Sequence, residues 1–175
     1  MRNRNVILAL LALAACVLAA CGSSKAPGVQ LAPSSGPTAA SIPTTPKPPP
    51  ALAKKPVVSI PNTAPPSTLV VKDLVPGTGK TLQAGQTITV NYVGLVYSTS
   101  KEFDSSWQRN QPFTTPLTTG QVIPGWVKGL VGMKVGGRRE LIIPPNLGYG
   151  KAGSPPTIPP NATLVFVVDL LGISS

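Results

Sequence analysis

The first 91 positions of this 175-residue chain contain no phenylalanine, tyrosine or tryptophan. Histidine is absent throughout, only two cysteines occur, and five acidic residues stand against fifteen basic ones. Each shortage excludes something. Without histidine there is no Ser-His hydrolase, no imidazole general base and no His-ligated metal. The five carboxylates, Asp73, Glu102, Asp104, Glu140 and Asp169, are scattered, and none has a partner suited to paired acid–base work. Asp169, read at a strand end, is expected to make a surface contact. The chemistry is therefore expected to need no metal and no cofactor. Aromatic side chains bury the most area per residue, so the eight between Tyr92 and Phe166 place a core or an apolar pocket in the C-terminal part.

The N-terminus reads as an export signal. Arg2 and Arg4 precede a nearly unbroken apolar run over residues 6–20, short for a membrane span. The run ends in Leu18-Ala19-Ala20-Cys21, followed by Gly22-Ser23-Ser24, and small residues before a cysteine resemble a bacterial lipobox. Leu13-Ala14-Ala15-Cys16 fits the same pattern but leaves Val17 and Leu18 behind the cysteine, so Cys21 is the preferred lipidation site. Cutting there leaves one cysteine and no intrachain disulfide; acylation accounts for a lone thiol in an exported chain. Acyl chains burying ~0.8 kcal/mol per methylene supply stable anchoring. The expectation is a signal peptide over residues 1–20 and an extracytoplasmic protein held at a bacterial membrane by lipid on Cys21.

Residues 21–66 read as a disordered Pro/Ala-rich linker. Twelve of the 22 prolines fall in positions 22–66, with no aromatic and no acidic residue. Segments such as Pro46-Lys47-Pro48-Pro49-Pro50 favour polyproline II and carry too little apolar surface to offset ordering entropy. As a coil the segment spans roughly 40 Å, and fully extended about 140 Å. The formal charge of +10 falls to +8 once Arg2 and Arg4 are removed. Lys54-Lys55 and Arg138-Arg139 are the doublets able to touch anionic lipid or wall polymer, although plain solubility is the readier account of the basic charge. An exported chain lacking a basic aromatic platform is not expected to bind nucleic acid.

From position 67 the texture changes to alternating apolar and polar residues with glycine punctuation. Strands are expected over 69–74, 86–96, 113–117, 139–143 and 163–171, and one short helix over 125–131, entered from Pro124 and stopped at Gly132. About 109 residues with five or six strands and one helix describe a small antiparallel α+β domain, with an apolar crevice between helix and curved sheet.

The aromatics sit in distinctive company. Phe103-Asp104-Ser105-Ser106 with Arg109-Asn110 and Pro112-Phe113 makes one block, and Val122-Ile123-Pro124-Gly125-Trp126 a second. Tyr149-Gly150, Ile158-Pro159-Pro160 and Ala162-Thr163-Leu164-Val165-Phe166 make a third. These blocks and their spacing, from about Leu69 to Leu171, closely resemble the FKBP-type peptidyl-prolyl cis–trans isomerases. The resemblance implies an antiparallel half-barrel wrapped around the short helix and a proline pocket floored by Trp126. Tyr92, Phe103, Asp104 and Tyr149 would be the catalytic set, and Phe113, Val122, Ile123, Trp126, Ile158 and Phe166 the substrate-binding set. The Tyr149 hydroxyl and the Ile123 N–H would donate to a substrate carbonyl, with Asp104 at the edge within reach of Arg109 and Tyr92. Substrates would be proline-containing polypeptides, with FKBP-class macrolides as ligands, and the protein a monomer.

Two positions depart from the family pattern: the loop after Tyr149 carries Ser154 and Thr157 where relatives often have a histidine and an isoleucine. That loop is expected to overhang the pocket. Trp107, in the bulge between Asp104 and Arg109, is expected to be an exposed contact residue. Without the pattern, Tyr92, Phe113, Trp126 and Phe166 read first as plain core. A docking module that binds proline-containing partners without turnover is the alternative to an enzyme.

Overall fold

The computed structural model describes residues 50–174; the expected signal peptide, the expected lipidation site Cys21 and the first part of the expected linker lie outside them. Six strands and one α-helix follow in order: β1 (Val70–Val75), β2 (Thr87–Val96), β3 (Lys101–Ser105), β4 (Phe113–Pro116), α1 (Pro124–Leu130), β5 (Arg138–Ile143) and β6 (Leu164–Ser174). All pairings are antiparallel, in the order β1-β5-β6-β2-β3, with β4 on the continuation of β2. This is the expected half-barrel around one helix.

The strand pattern follows from period-two alternation. On β2, Ile88, Val90 and Tyr92 face the core, and on β6 Leu164, Phe166, Val168 and Leu170 do so. Strand β6 runs three residues past the expected end, because Gly172 and Ile173 still pair with Thr89 and Ile88. Strand β3 was not expected. Lys-Glu-Phe-Asp-Ser offers one apolar residue in five, and the segment is a strand because it closes an edge of the sheet against β2.

Helix α1 starts at Pro124, whose fixed φ and missing N–H suit the first helical position. It lies very close to β5. A Cβ on Gly125 would come within 2.5 Å of the Ile143 side chain, and one on Gly129 within 2.7 Å of Leu141. Glycines on that face turn Trp126 and Leu130 into the core. The C-terminal end is held by Arg139, whose Nη1 donates to the carbonyls of Gly129 (2.8 Å) and Val131 (3.4 Å). Its Nε and Nη2 reach Asp73 on β1 at 2.6 and 3.1 Å.

Those bonds correct one expectation. Arg139 is 8% exposed, and Arg138 forks onto Asp169, with Nη2 at 2.7 Å from Oδ2, so this doublet is internal structure and not a surface for anionic polymers. Asp169 is corrected too: it lies within β6 at 1% exposure. Burial pushes its carboxyl above the usual range, and the hydrogen bond and charge of Arg138 pull it back only in part.

Residues 50–66, expected as the end of the linker, are held against the domain. Leu52, in a single 3₁₀ turn (Pro50–Leu52), is 1% exposed. The Lys54 carbonyl accepts from Arg138 Nη2 at 2.9 Å, and Lys55 Nζ pairs with Glu102 at 2.8 Å. The Tyr97 hydroxyl meets Thr63 Oγ1 at 3.2 Å and donates to the Pro61 carbonyl at 3.4 Å. Composition misleads here because a proline-rich average conceals a few apolar residues at productive spacing.

Candidate active site

A cavity of about 460 Å³ opens between the concave face of the sheet and α1. Its lining is Tyr92 from β2, Phe103 and Asp104 from β3, Phe113 from β4, and Phe166 from β6. Gln121, Val122, Ile123 and Trp126 come from the approach to α1 and its first turn, and Arg109 and Tyr149 from loops. Nine of the ten residues expected at the site converge here. The tenth, Ile158, does not line the cavity: it is 4% exposed and packs into the main core, with its N–H and C=O closing a small loop onto Ser154 (2.9 and 2.8 Å). None of residues 151–158 is among the residues that line the cavity.

The walls are a set of edge-to-face rings. Trp126 meets Tyr92 at 5.4 Å and 83°, and Phe166 at 5.4 Å and 86°. Phe103 meets Phe166 at 5.5 Å and 88°, and Tyr92 meets Phe113 at 5.8 Å and 68°. Such perpendicular pairs fix the orientation of the rings through their quadrupoles. Trp126 is 4% exposed, and its indole N–H has no hydrogen-bond acceptor among the described residues. Gly94 makes the arrangement fit: a Cβ there would lie 2.8 Å from both Phe103 Cζ and Phe166 Cε1.

One side of the rim is polar. The Tyr92 hydroxyl donates to Asp104 Oδ2 and accepts from Arg109 Nη2 at 2.8 Å, while Arg109 Nη1 bonds Asp104 Oδ1. The guanidinium carbon lies 5.6 Å from the centre of the Tyr92 ring, a cation–π contact. Burial pushes the Asp104 carboxyl up, but bonds from Tyr92 and Arg109, the guanidinium charge and the Ser105 N–H together hold it below the usual range. The Tyr92 phenol is pushed up to about 12, first by burial and then by its bond to Asp104. At neutral pH the triad is thus carboxylate, guanidinium and neutral phenol.

The motif after Asp104 fixes Tyr92 from behind. Ser105 and Ser106 are fully buried. Ser106 Oγ accepts the Tyr92 N–H at 2.9 Å, and the Ser106 N–H (3.1 Å) and Ser105 Oγ (3.2 Å) both donate to the Tyr92 carbonyl. These serines stand in the Phe103-Asp104-Ser105-Ser106 block but were not counted among the expected site residues, because their burial shows only in the fold. Gln121 was also missed, since nothing in its neighbourhood distinguishes it. Trp107 is not an exposed contact residue: it is half-buried, and its indole nitrogen is enclosed.

The cavity lining also carries two donors with no acceptor among the described residues. One is the Tyr149 hydroxyl, on a side chain 41% exposed, and the other the backbone N–H of Ile123. Burial, and then the nearby Asp104 charge, raises the Tyr149 phenol, keeping it a neutral donor. An apolar slot with two free donors on its lining and no nucleophile inside suits a neutral amide, bound by its ring and its carbonyl.

Comparison with known proteins gives the same picture. Residues 78–171 match the family described as FKBP-type peptidyl-prolyl cis-trans isomerase. The chain is similar to an FK506-binding protein of Streptomyces anulatus, 51% identical over 121 residues, covering 69% of this chain and 98% of the relative. An FK506-binding protein of Neisseria meningitidis serogroup A is 49% identical over 106 residues, covering 61% and 96%. Among solved structures, FkpA from Escherichia coli superposes with a TM-score of 0.56 at 46% identity, covering 61% of this chain and 48% of that one.

Proposed function

Because the chain belongs to the FKBP-type peptidyl-prolyl cis–trans isomerase family, we propose that the ring-lined cavity binds a prolyl residue of a polypeptide and catalyses rotation of the preceding amide. The two unpartnered donors in an otherwise apolar cavity carry the proposal. Uncatalysed rotation must break amide resonance, a barrier of ~18–20 kcal/mol. No bond is made or broken, so no nucleophile or proton shuttle is needed. The planar amide is more dipolar than the twisted one, and a slot walled by Tyr92, Phe113, Trp126 and Phe166 replaces its water with fixed apolar and weakly polar groups. Rotation swings the carbonyl out of its starting plane. Donors from Tyr149 and Ile123, set in advance, favour it in the orientation passed through midway. The Tyr92–Asp104–Arg109 triad braces the wall and keeps its charges satisfied by one another.

The partners proposed for this chain are proline-containing polypeptides, with FK506-like macrolides as competitors, a ligand class after which the curated relatives are named. We further propose that the protein works as a monomeric folding catalyst on the outer side of a bacterial membrane, anchored by lipid on Cys21. Arg2, Arg4, the apolar run of residues 6–20 and Leu18-Ala19-Ala20-Cys21 support that reading.

The test is isomerisation of a cis-Ala-Pro peptide by the full chain, with a macrolide as competitor. Acceleration above the thermal rate is expected, several-fold weaker in Tyr149→Phe, as loss of a hydrogen bond worth ~1 kcal/mol implies. Phe103→Ala should also weaken it. Macrolide binding with peptide turnover at the thermal rate would return the non-catalytic docking reading. For the anchor, a membrane-extracted chain should carry acyl mass at its N-terminus, and Cys21→Ser should lose it. Unmodified parent protein would overturn the anchor while leaving the catalytic proposal intact.

A further inference from the structure

The sheet has a second buried face. Seven buried apolar residues stand outside the main core cluster: Leu52, Val93, Leu95, Tyr97, Val165, Val167 and Leu171. Val93 and Leu95 on β2, and Val165 and Val167 on β6, alternate with the core-facing residues, so they project from the outer side of the sheet, away from α1 and the cavity. Val93 pairs directly with Val167, and Leu95 with Val165, which makes a continuous four-residue apolar patch. Each is at most 8% exposed. A sheet face reaches such burial only under a cover.

The polar contacts of residues 50–66 all fall around that patch. Arg138, opposite the outward-facing Asp169, holds the Lys54 carbonyl on one side. Glu102, next to the inward-facing Phe103 on β3, holds Lys55 on the other. Tyr97, just after β2, holds Pro61 and Thr63. Between these ties the segment alternates: Pro56, Val58 and Ile60 are half-buried, while Val57 and Ser59 are exposed, Val57 at 97%. Period-two burial in a segment outside the sheet is the mark of an extended strap lying on a surface.

We infer that the outer face of the sheet is a docking surface whose occupant is the chain's own residues 50–66, with Leu52 as its anchor. The folded unit therefore starts near Pro50, well before residue 78, where the family match begins. The strap is a clamp across β5, β6, β2 and β3, independent of the prolyl cavity on the opposite face. Through Glu102, which also accepts from Gln108 Nε2 at 2.7 Å, it additionally touches the bulge that carries Arg109.

The experiment compares Leu52→Ala with Val57→Ala in the full chain. Leu52→Ala should lower Tm by roughly 10 °C, as expected for an emptied buried leucine site, while Val57→Ala should stay within about 1 °C of the parent. Both should retain kcat/KM for the Ala-Pro peptide within about twofold, because neither residue lines the cavity. If Leu52→Ala fails to fold, Leu52→Val should show a smaller drop of a few degrees. Methyl NMR locates the effect: Val93, Leu95, Val165 and Val167 should shift in the Leu52 variant, and Ile88 and Val168 should not. An unchanged Tm for both leucine variants, or shifts confined to core methyls, overturns the inference. So would outer-face shifts that depend on protein concentration, which would make the occupant a second copy.

Discussion

Gly94 offers the sharpest trial of the cavity's geometry. Its backbone is ordinary extended strand within β2, so alanine meets no conformational objection there. The obstacle is space alone. An added methyl would sit 2.8 Å from a carbon of Phe103 and 2.8 Å from one of Phe166, two rings that already meet edge-to-face at 5.5 Å. Both must retreat by several tenths of an ångström, and both are walls of the prolyl slot. Overpacking of this kind costs about 1–3 kcal/mol. With about 2 kcal/mol of it expressed in transition-state binding, kcat/KM for a cis-Ala-Pro peptide falls roughly thirty-fold, and Tm falls by roughly 5–10 °C. Gly172→Ala is the control. Gly172 is also in a paired strand, but its nearest neighbour, Thr89 Cβ, would be at 3.9 Å, an ordinary contact. Protease-coupled peptide isomerisation and thermal melting, run side by side, decide the matter. If Gly94→Ala behaves like Gly172→Ala in both, the rings do not confine the substrate as described.

Further expectations concern the polar rim. Between pH 6 and 9 the peptide rate should be flat, because the Tyr92 phenol at about 12 and the raised Tyr149 phenol stay neutral while the lowered Asp104 stays ionised; a titration in that window would contradict the triad's assigned charge states. The depressed Asp104 carboxyl contributes stability that is present above the ordinary carboxylate pKa of ~3.9 and is lost as pH falls through its lower folded value. In Tyr92→Phe one bond to the carboxylate is gone, so its NMR titration midpoint should move upward, and an unmoved midpoint would refute the assigned hydrogen bond. Ser106→Ala leaves the Tyr92 N–H buried without its acceptor and should cost ~1–3 kcal/mol of stability with a several-fold loss in kcat/KM. Ser106→Thr, which keeps the hydroxyl, should recover activity more than stability, whereas equal loss in both variants would make the role one of packing.

Most of the fold was legible because both central strands obey their periodicities. The alternation of Ile88, Val90 and Tyr92 and the apolar run of residues 164–168 each name a strand, and Pro124 with Gly132 brackets the helix. What stayed hidden had a physical reason in each case. Strand β3 is an edge element whose residues serve the cavity, the strap and the bulge in turn, so no hydrophobic rhythm marks it. Ile158 stood beside two prolines in a family block, yet its side chain was taken by the core. Asp169 looked like a surface group because carboxylates in strands usually are, and only the register of β6 on β5 reveals Arg138 directly across from it. The strap was lost in an average, where prolines outweighed Leu52, Val58 and Ile60.

The two glycines of α1 have a consequence for tuning. Since Ile143 and Leu141 abut bare helical backbone at Gly125 and Gly129, no flexible side chain lies between strand and helix to absorb a change in volume. The indole one residue along from Gly125 rides on that seating. The depth available to a prolyl ring is therefore gauged from behind, by aliphatic bulk at positions no substrate ever touches. Trimming or enlarging Ile143 would lower or raise the floor together with the start of α1, a route to altered selectivity that leaves the identity of every wall residue of the slot unchanged.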